Sequence, residues 1–206
     1  MELKKEAKEE KEVKEDKENL TLSLFKTNPL KKVVEVRSVN PIKGKGVFAT
    51  KHIQTGEFIA FYPIDTIQRR DTELTPKTQK EYDMIRLYNR YTISLKNPEL
   101  IGVVVNIDDD GWPYVGHRIN DGDAILAYTT REKTPSVVKS YETLSKSRQN
   151  VETFSIGKTD HGLAIWGKRK FVGVAATRDI LKGEELFMHY GAKYWFDFLL
   201  HNTVEE

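Results

Sequence analysis

The stretch "GEELFMHYGAKYW" (residues 183–195) combines residue types that could carry chemistry. An apolar run typical of a buried strand ends in His189, Tyr190 and Gly191, and further aromatic residues follow at once. Because glycine permits tight backbone turns, the sequence predicts a phenol at a sharp bend after a strand. Such a phenol could pack in the core, help to bind a metal ion or take part in a reaction.

Two earlier stretches are also candidates for ligand binding. "NPIKGKGVF" (40–48) places Gly44 and Gly46 directly before an apolar strand, where glycines let the backbone approach a ligand closely. "VGHRINDGDAILAY" (115–128) contains the turn formers Asn120 and Asp121 between two strands. The first stretch is not a dinucleotide or phosphate loop, because the third glycine and the Lys-Ser/Thr ending are missing. Taken alone, each stretch could be an ordinary turn.

The histidines and the missing cysteines bear on metal binding. His117, His161 and His189 lie far apart in the sequence and, even with Asp121, match no compact pattern of ligand spacing. The sequence therefore predicts no metal site. Since the chain has no cysteine, disulfides, thiolate-bound zinc and a cysteine nucleophile are excluded.

Short strands separated by turn residues occupy most of the chain after residue 32. The predicted strands are 33–39, 46–50, 57–62, 91–95, 101–107, 124–129, 171–177 and 184–189. The predicted helices are 76–90, 134–150 and a short aromatic segment, 193–201. The apolar face of the second helix would consist of Val137, Val138, Tyr141 and Leu144. The order of elements predicts a β-rich α+β domain of several small sheets and disfavours a doubly wound nucleotide-binding sheet.

Residues 1–18 form a highly charged segment with six Lys and eight Asp or Glu, so we predict a disordered tail or a solvated helix. The whole chain has a net charge of +2 and this tail −2, which leaves +4 for residues 19–206. That mild basicity does not by itself require an acidic partner. No membrane span or signal-peptide core is apparent, so a soluble intracellular protein is expected.

Three signals stand in order: the early Gly-x-Gly strand, the central Asn turn and the late Tyr-Gly ending. In this order they resemble the SET-domain protein-lysine methyltransferases over residues 33–195. The similarity is strongest in "GKGVFATKHIQTGEFIAFY" (44–62) and "AATRDILKGEELFMHYGAKYW" (175–195). The resemblance implies a SET-like fold with a knot-like C-terminal closure. It also implies transfer of a methyl group from S-adenosyl-L-methionine to a lysine side chain.

The resemblance also implies roles for single residues. Tyr190 matches the catalytic tyrosine, and Tyr128 matches the position where Tyr or Phe sets how many methyl groups fit. The residues that would cradle the methyl donor are Gly44, Lys45, Gly46, Asn120 and Asp121. Tyr88, Tyr91 and Trp195 would line the donor or lysine channel. The family usually has Arg-x-x-Asn-His-Ser where this chain has "HRINDG" (117–122), so Asp121 stands in place of the family's histidine.

By the same resemblance, residues 33–195 are the catalytic domain, with a helical insertion at about 129–168. Residues 196–206 would close the substrate channel. Histone tails are the family's commonest substrates, so a histone tail and a nuclear location are expected, without direct binding of nucleic acid. Two alternatives stay open: a catalytically silent SET module that binds a protein or peptide, suggested by Asp121, and a methyltransferase for a non-histone protein.

Overall fold

A computed structural model describes residues 31–40, 44–69, 78, 91–108, 111–124, 135–157, 159, 162–166 and 169–196. The charged tail 1–18 lies outside these residues. So do the predicted helix 76–90 (apart from Thr78), most of the predicted strand 124–129 with Tyr128, and residues 197–206.

The strands of the described residues form four small sheets. The first sheet is a hairpin of β1 (Val34–Asn40) and β2 (Gly44–Ala49). The second contains β3 (Phe58–Ile64), β8 (Val151–Phe154), β9 (Ala164–Trp166) and β10 (Arg169–Ala176). The third contains β4 (Thr66–Arg69), β5 (Thr92–Ser94) and β6 (Leu100–Val103). The fourth pairs β7 (Asn120–Asp121) with β11 (Phe187–Met188). The predicted β-rich α+β class is confirmed.

Strand β10 organises the largest sheet, because it pairs antiparallel with β3, β8 and β9. Phe61 on β3 and Phe171 on β10 are almost fully buried, and their ring centroids lie 4.3 Å apart. Bulky aromatic and β-branched residues suit such a pleated, buried surface. The packing of this sheet therefore fixes the position of Tyr62, the next residue along β3.

The sequence did not predict the short strands β4, β7, β8 and β9, and Asn120 and Asp121 of β7 were expected to form a turn. Each strand is only two to four residues long, so it offers little alternation of apolar and polar residues from which to recognise a strand. Both β8 and β9 lie within the stretch 129–168, yet their backbones pair with β10 in the largest sheet.

Helix α1 (Pro135–Arg148) lies within the predicted helix 134–150. Its inner side carries Tyr141 and Ser145, one turn apart and both fully buried. Leu144 was predicted on the apolar face, but this was wrong, since its side chain is 40% exposed. The reason is that Tyr141 and Ser145 turn toward a buried carboxylate, which leaves Leu144 at the surface.

A short 3-10 helix (Gly116–Arg118) precedes β7, and residues 192–196 are helical at the start of the predicted aromatic helix 193–201. Within the described residues, no helix has both the length and the apolar character needed to cross a membrane.

The chain closes on itself where β7 and β11 pair in parallel, with Phe187 opposite Asn120 and Met188 opposite Asp121. Buried Asn150 holds this closure, because its side-chain oxygen accepts from the Phe187 N–H at 2.7 Å. The Asn150 side-chain nitrogen donates to the Glu185 carbonyl at 2.9 Å. Segments about 70 residues apart in the sequence thereby become neighbours.

Candidate functional site

Strands β2 and β7 and the segment before β11 meet at one junction. The side-chain amide of Asn120 donates to Glu185 Oε1 at 2.9 Å and to the Lys45 carbonyl at 3.2 Å. A Cβ on Gly46 would lie 2.5 Å from Glu185 Oε1 and 3.0 Å from Asn120 Nδ2. Any larger residue would require these side chains to shift. Two of the five residues predicted to hold a donor, Gly46 and Asn120, are therefore direct neighbours.

The start of strand β2, before Gly46, is exposed to solvent. Gly44 and Lys45 are exposed, and no atom lies within 4 Å of where a Gly44 Cβ would be. Gly44 has a φ of +68°, in the region that side chains rarely adopt. An exposed backbone next to a polar amide leaves space in which a ligand could lie along β2.

Tyr190 lies at the bend predicted from the sequence. Strand β11 ends at Met188, and Gly191 has a φ of +90°, a conformation that favours glycine. The Tyr190 hydroxyl donates to the carbonyl of Ile119 at 2.5 Å. Since Ile119 directly precedes Asn120, the phenol lies close to the junction of Gly46 and Asn120. The early glycines, the central Asn and the late tyrosine thus converge in space.

Other aromatic side chains surround Tyr190. The Tyr194 ring lies edge-on to the Tyr190 ring with centroids 4.8 Å apart, and the Trp195 ring is stacked with it at 6.4 Å. Burial first, and then the neighbouring phenols of Tyr194 and Tyr62, hold the pKa of Tyr190 well above its ordinary value of 10.0. Burial and two neighbouring phenols likewise raise the pKa of Tyr62. Both phenols are therefore neutral at physiological pH.

The carboxylate of Asp121 lies in a different environment from the Asn120 amide. It is 4% exposed and accepts hydrogen bonds from Tyr141 Oη at 2.5 Å and Trp195 Nε1 at 2.8 Å. It also accepts from the Ser145 hydroxyl and from the Tyr190 backbone N–H, the latter at 3.2 Å. Its side chain thus contacts α1 and the C-terminal bend, so the predicted contact with a donor would fall to its backbone.

The remaining candidate residues lie in different parts of the structure. Tyr91 and Tyr190 both pack against the main hydrophobic core, and the predicted channel residue Trp195 is stacked with Tyr190. Tyr128 and Tyr88 lie outside the described residues. His117 Nε2 lies 3.1 Å from the Ile107 carbonyl, whereas His189 contacts Ser145 and Glu142 on α1. Among the described residues, no three metal-ligating side chains cluster.

Three residues of the site were missed by the sequence analysis: Tyr62, Tyr141 and Glu185. Tyr62 ends the predicted strand 57–62, so its place in an aromatic run offered a signal. Tyr194 begins the aromatic segment 194–200, which was expected to line the lysine channel. Glu185 and Tyr141 offered none, since both act through contacts between residues far apart in sequence: Glu185 with Asn120, and Tyr141 with Asp121.

The model of the SET-domain family matches residues 44–191 of the chain. A solved structure of a candidate histone methyltransferase from Plasmodium falciparum is 14% identical, and the alignment covers 81% of this chain and 99% of that chain with a TM-score of 0.41. A structure of Polycomb Repressive Complex 2 from Chaetomium thermophilum, bound to S-adenosylmethionine, is 18% identical. There the match covers 79% of this chain and 15% of that chain, with a TM-score of 0.43. No curated protein matches the sequence significantly.

Proposed function

The chain belongs to the SET-domain family, and on that premise we propose that it is a protein-lysine methyltransferase that uses S-adenosyl-L-methionine. One observation carries the proposal. The Tyr190 hydroxyl lies 2.5 Å from the Ile119 carbonyl, next to Asn120, whose amide reaches the glycine strand β2. The geometry thus supports one site that joins a donor pocket to an amine channel.

The residues at the junction suit an extended, charged methyl donor. The open backbone at Gly44 and Lys45, the close packing at Gly46 and the side-chain amide of Asn120 would hold it, and Asp121 would contribute backbone groups. When bound, S-adenosyl-L-methionine supplies a methyl group activated by a sulfonium. The protein has to exclude water, orient the amine and leave it neutral.

The target lysine must reach the site as a neutral amine. Free lysine has a pKa of about 10.4, so at pH 7 only about one molecule in a few thousand is neutral. Tyr62 is buried and Tyr190 partly so, and an ammonium in such surroundings loses hydration, which lowers the pKa of the amine. Orientation of the two reacting groups can supply several kcal/mol of the barrier.

Tyr190 would orient this amine rather than remove its proton. Its pKa lies well above the ordinary value, so the phenol stays neutral and cannot serve as a base at pH 7. Its hydroxyl donates a hydrogen bond to the Ile119 carbonyl, so the lone pairs of the hydroxyl oxygen can still accept a hydrogen bond from an amine N–H. Tyr128 is proposed as the residue that limits the number of methyl groups.

We propose a histone tail as the substrate, because histones are the family's commonest targets. A silent module that binds a protein or peptide is the second candidate, because Asp121 departs from the family motif. The third candidate is an enzyme for a non-histone protein.

Two measurements test the proposal. Calorimetry with S-adenosyl-L-methionine measures donor binding, and incubation with labelled donor and a panel of core histones, read by mass spectrometry, measures transfer. Binding with transfer to a histone lysine is the expected result. Binding without transfer to any protein in the panel or in a cell extract would favour the silent module. Transfer only in the extract would favour a non-histone substrate, and the absence of both would overturn the proposal.

A further inference from the structure

Asp121 connects three parts of the chain through one buried carboxylate. Oxygen Oδ2 accepts from Tyr141 Oη at 2.5 Å, from the Trp195 indole at 2.8 Å and from the Tyr190 N–H at 3.2 Å. Oxygen Oδ1 accepts from the Ser145 hydroxyl and from the Asp123 N–H, the latter at 3.3 Å. A carboxylate offers about four lone-pair positions, so five donors saturate it.

Helix α1 supplies two of these donors at a helical spacing. Tyr141 and Ser145 are four residues apart and therefore lie on one face, and both are fully buried. The Tyr141 oxygen also accepts from the Gly191 N–H at 3.0 Å. Two consecutive backbone N–H groups, those of Tyr190 and Gly191, are thus fixed through Asp121 and Tyr141. Burial first, and then the hydrogen bond to Asp121, raise the pKa of Tyr141, which keeps its hydroxyl a donor.

The third part of the chain held by Asp121 is Trp195, the aromatic residue beside the Tyr190 phenol. The Trp195 indole donates to Asp121 while its ring is stacked with the Tyr190 ring at an interplanar angle of 17°. The same carboxylate therefore fixes the backbone of Tyr190 and one wall beside its side chain. A histidine at this position offers at most one acceptor nitrogen and could not accept from all these donors.

We propose that Asp121 is a positioning residue: with Tyr141 of α1 it holds the Tyr190–Gly191 bend and the Trp195 indole in the geometry that methyl transfer needs. The inference rests on the proposed function and deepens it. Asp121 acts on the reaction through Tyr190 and Trp195, while Asn120, its neighbour, faces the glycine strand. Helix α1 thereby becomes part of the catalytic apparatus, although it supplies no group to the reacting atoms.

The first test separates orientation from binding. Tyr141→Phe removes one hydroxyl and keeps the ring, so it should fold with a small loss of Tm. We expect kcat to fall about tenfold, the effect of about 1.4 kcal/mol, with KM and donor Kd within about twofold of the wild type. Asp121→Asn should lower kcat further, since the amide presents a donor to a ring of donors. Glu152→Gln, an exposed carboxylate on β8, is the matched control and should leave kcat unchanged.

The second test needs no activity. In ¹⁵N-resolved spectra, with Trp195→Phe used to assign the indole signal, Tyr141→Phe and Asp121→Asn should shift the Trp195 indole and the Tyr190 and Gly191 amides. These protons should also exchange faster with solvent. Unchanged spectra, or kcat losses that match those in donor affinity, would overturn the proposal. If the wild type transfers no methyl group but the spectra change as expected, the proposed function fails while the role of Asp121 in holding the bend stands.

Discussion

Asn120 and Asp121 are consecutive residues whose side chains have different partners. Successive side chains of a strand point to opposite faces, and this alternation sends the Asn120 amide toward β2 and the Asp121 carboxylate toward α1. The pair therefore lies between the proposed donor site and the elements that hold Tyr190. A change at either residue should affect a different step, donor binding for Asn120 and orientation for Asp121.

At the scale of one residue, Tyr190→Phe removes the hydroxyl proposed to orient the amine. We expect the transfer rate to fall by at least about 100-fold, comparable with loss of one oriented polar group in a water-excluded site. Donor Kd should change little. Stability should fall by about 1 kcal/mol, because the hydrogen bond to the Ile119 carbonyl is lost. Single-turnover kinetics and calorimetry measure both effects.

Tyr114→Phe is the matched control, since it makes the same change among the aromatic residues around Phe61 and Phe171. It should leave the transfer rate unchanged. Near-normal turnover in Tyr190→Phe would remove Tyr190 from its proposed role.

Tyr128→Phe should shift the products toward higher methylation states. The proposed reason is that a tyrosine hydroxyl holds water or the amine and narrows the channel, whereas phenylalanine leaves room for a further methyl group. Mass spectra of a substrate peptide, taken over a time course, give the ratio of mono-, di- and trimethylated products. An identical ratio in the variant and the wild type would contradict the assignment.

At the scale of elements, the hairpin β1–β2 meets the C-terminal segment through a glycine. Backbone and side chains come together at Gly46 so closely that a methyl group would touch Glu185, Val39 and Asn120. An isolated β-bridge between Glu185 and Phe48, two residues after Gly46, holds the same two segments together. The proposed donor site is thus built by contact between elements, and its shape depends on their separation.

Gly46→Ala should therefore weaken donor binding as well as folding. The new Cβ would lie 2.5 Å from Glu185 Oε1 and 2.8 Å from Val39 Cγ2, so these side chains must shift away from their present positions. We expect a loss of about 1–3 kcal/mol in stability, as for overpacked sites, and donor affinity reduced at least tenfold. Urea unfolding and calorimetry provide the two values.

Gly56→Ala controls for lost stability without touching the junction. Gly56 has a φ of +79° and open space around its Cβ position, so alanine there costs about 1–2 kcal/mol of backbone strain alone. Donor affinity equal in the two variants would show that Gly46 has no special place in the site.

At the scale of the whole molecule, the fold class followed from local sequence signals, whereas the convergence of the site was implied by the family resemblance. The strands predicted at 33–39 and 57–62 and the bend at Tyr190–Gly191 depend on nearby residues, and the structure has them. The partners of Asp121 could not be predicted in this way, because Tyr141 and Trp195 reach it only after α1 and the C-terminal bend have packed. Leu144 was misplaced for the same reason: a polar contact, absent from any periodic pattern, set the rotation of α1.

The same packing makes stability depend on pH in the alkaline range. Burial, followed by neighbouring phenols for Tyr62 and by the hydrogen bond to Asp121 for Tyr141, raises the pKa of both tyrosines in the folded state. In the unfolded chain they titrate at about 10. Below pH 10 both states hold these protons, and the two residues add no pH dependence. Above pH 10 the unfolded state releases them first, so the folded state becomes less stable.

Each of these tyrosines should lower the free energy of unfolding by up to about 1.4 kcal/mol per pH unit above pH 10. Urea unfolding at several values between pH 9 and pH 11 measures the slope. Tyr141→Phe should reduce the slope of the free energy of unfolding against pH by the contribution of one tyrosine. Because all other titrating groups are common to both proteins, their contributions cancel in the comparison, whatever the effect of the substitution on stability at pH 8. Equal slopes in Tyr141→Phe and the wild type would mean that Tyr141 ionises as readily in the folded protein as in the unfolded chain, and that α1 does not bury its hydroxyl against Asp121.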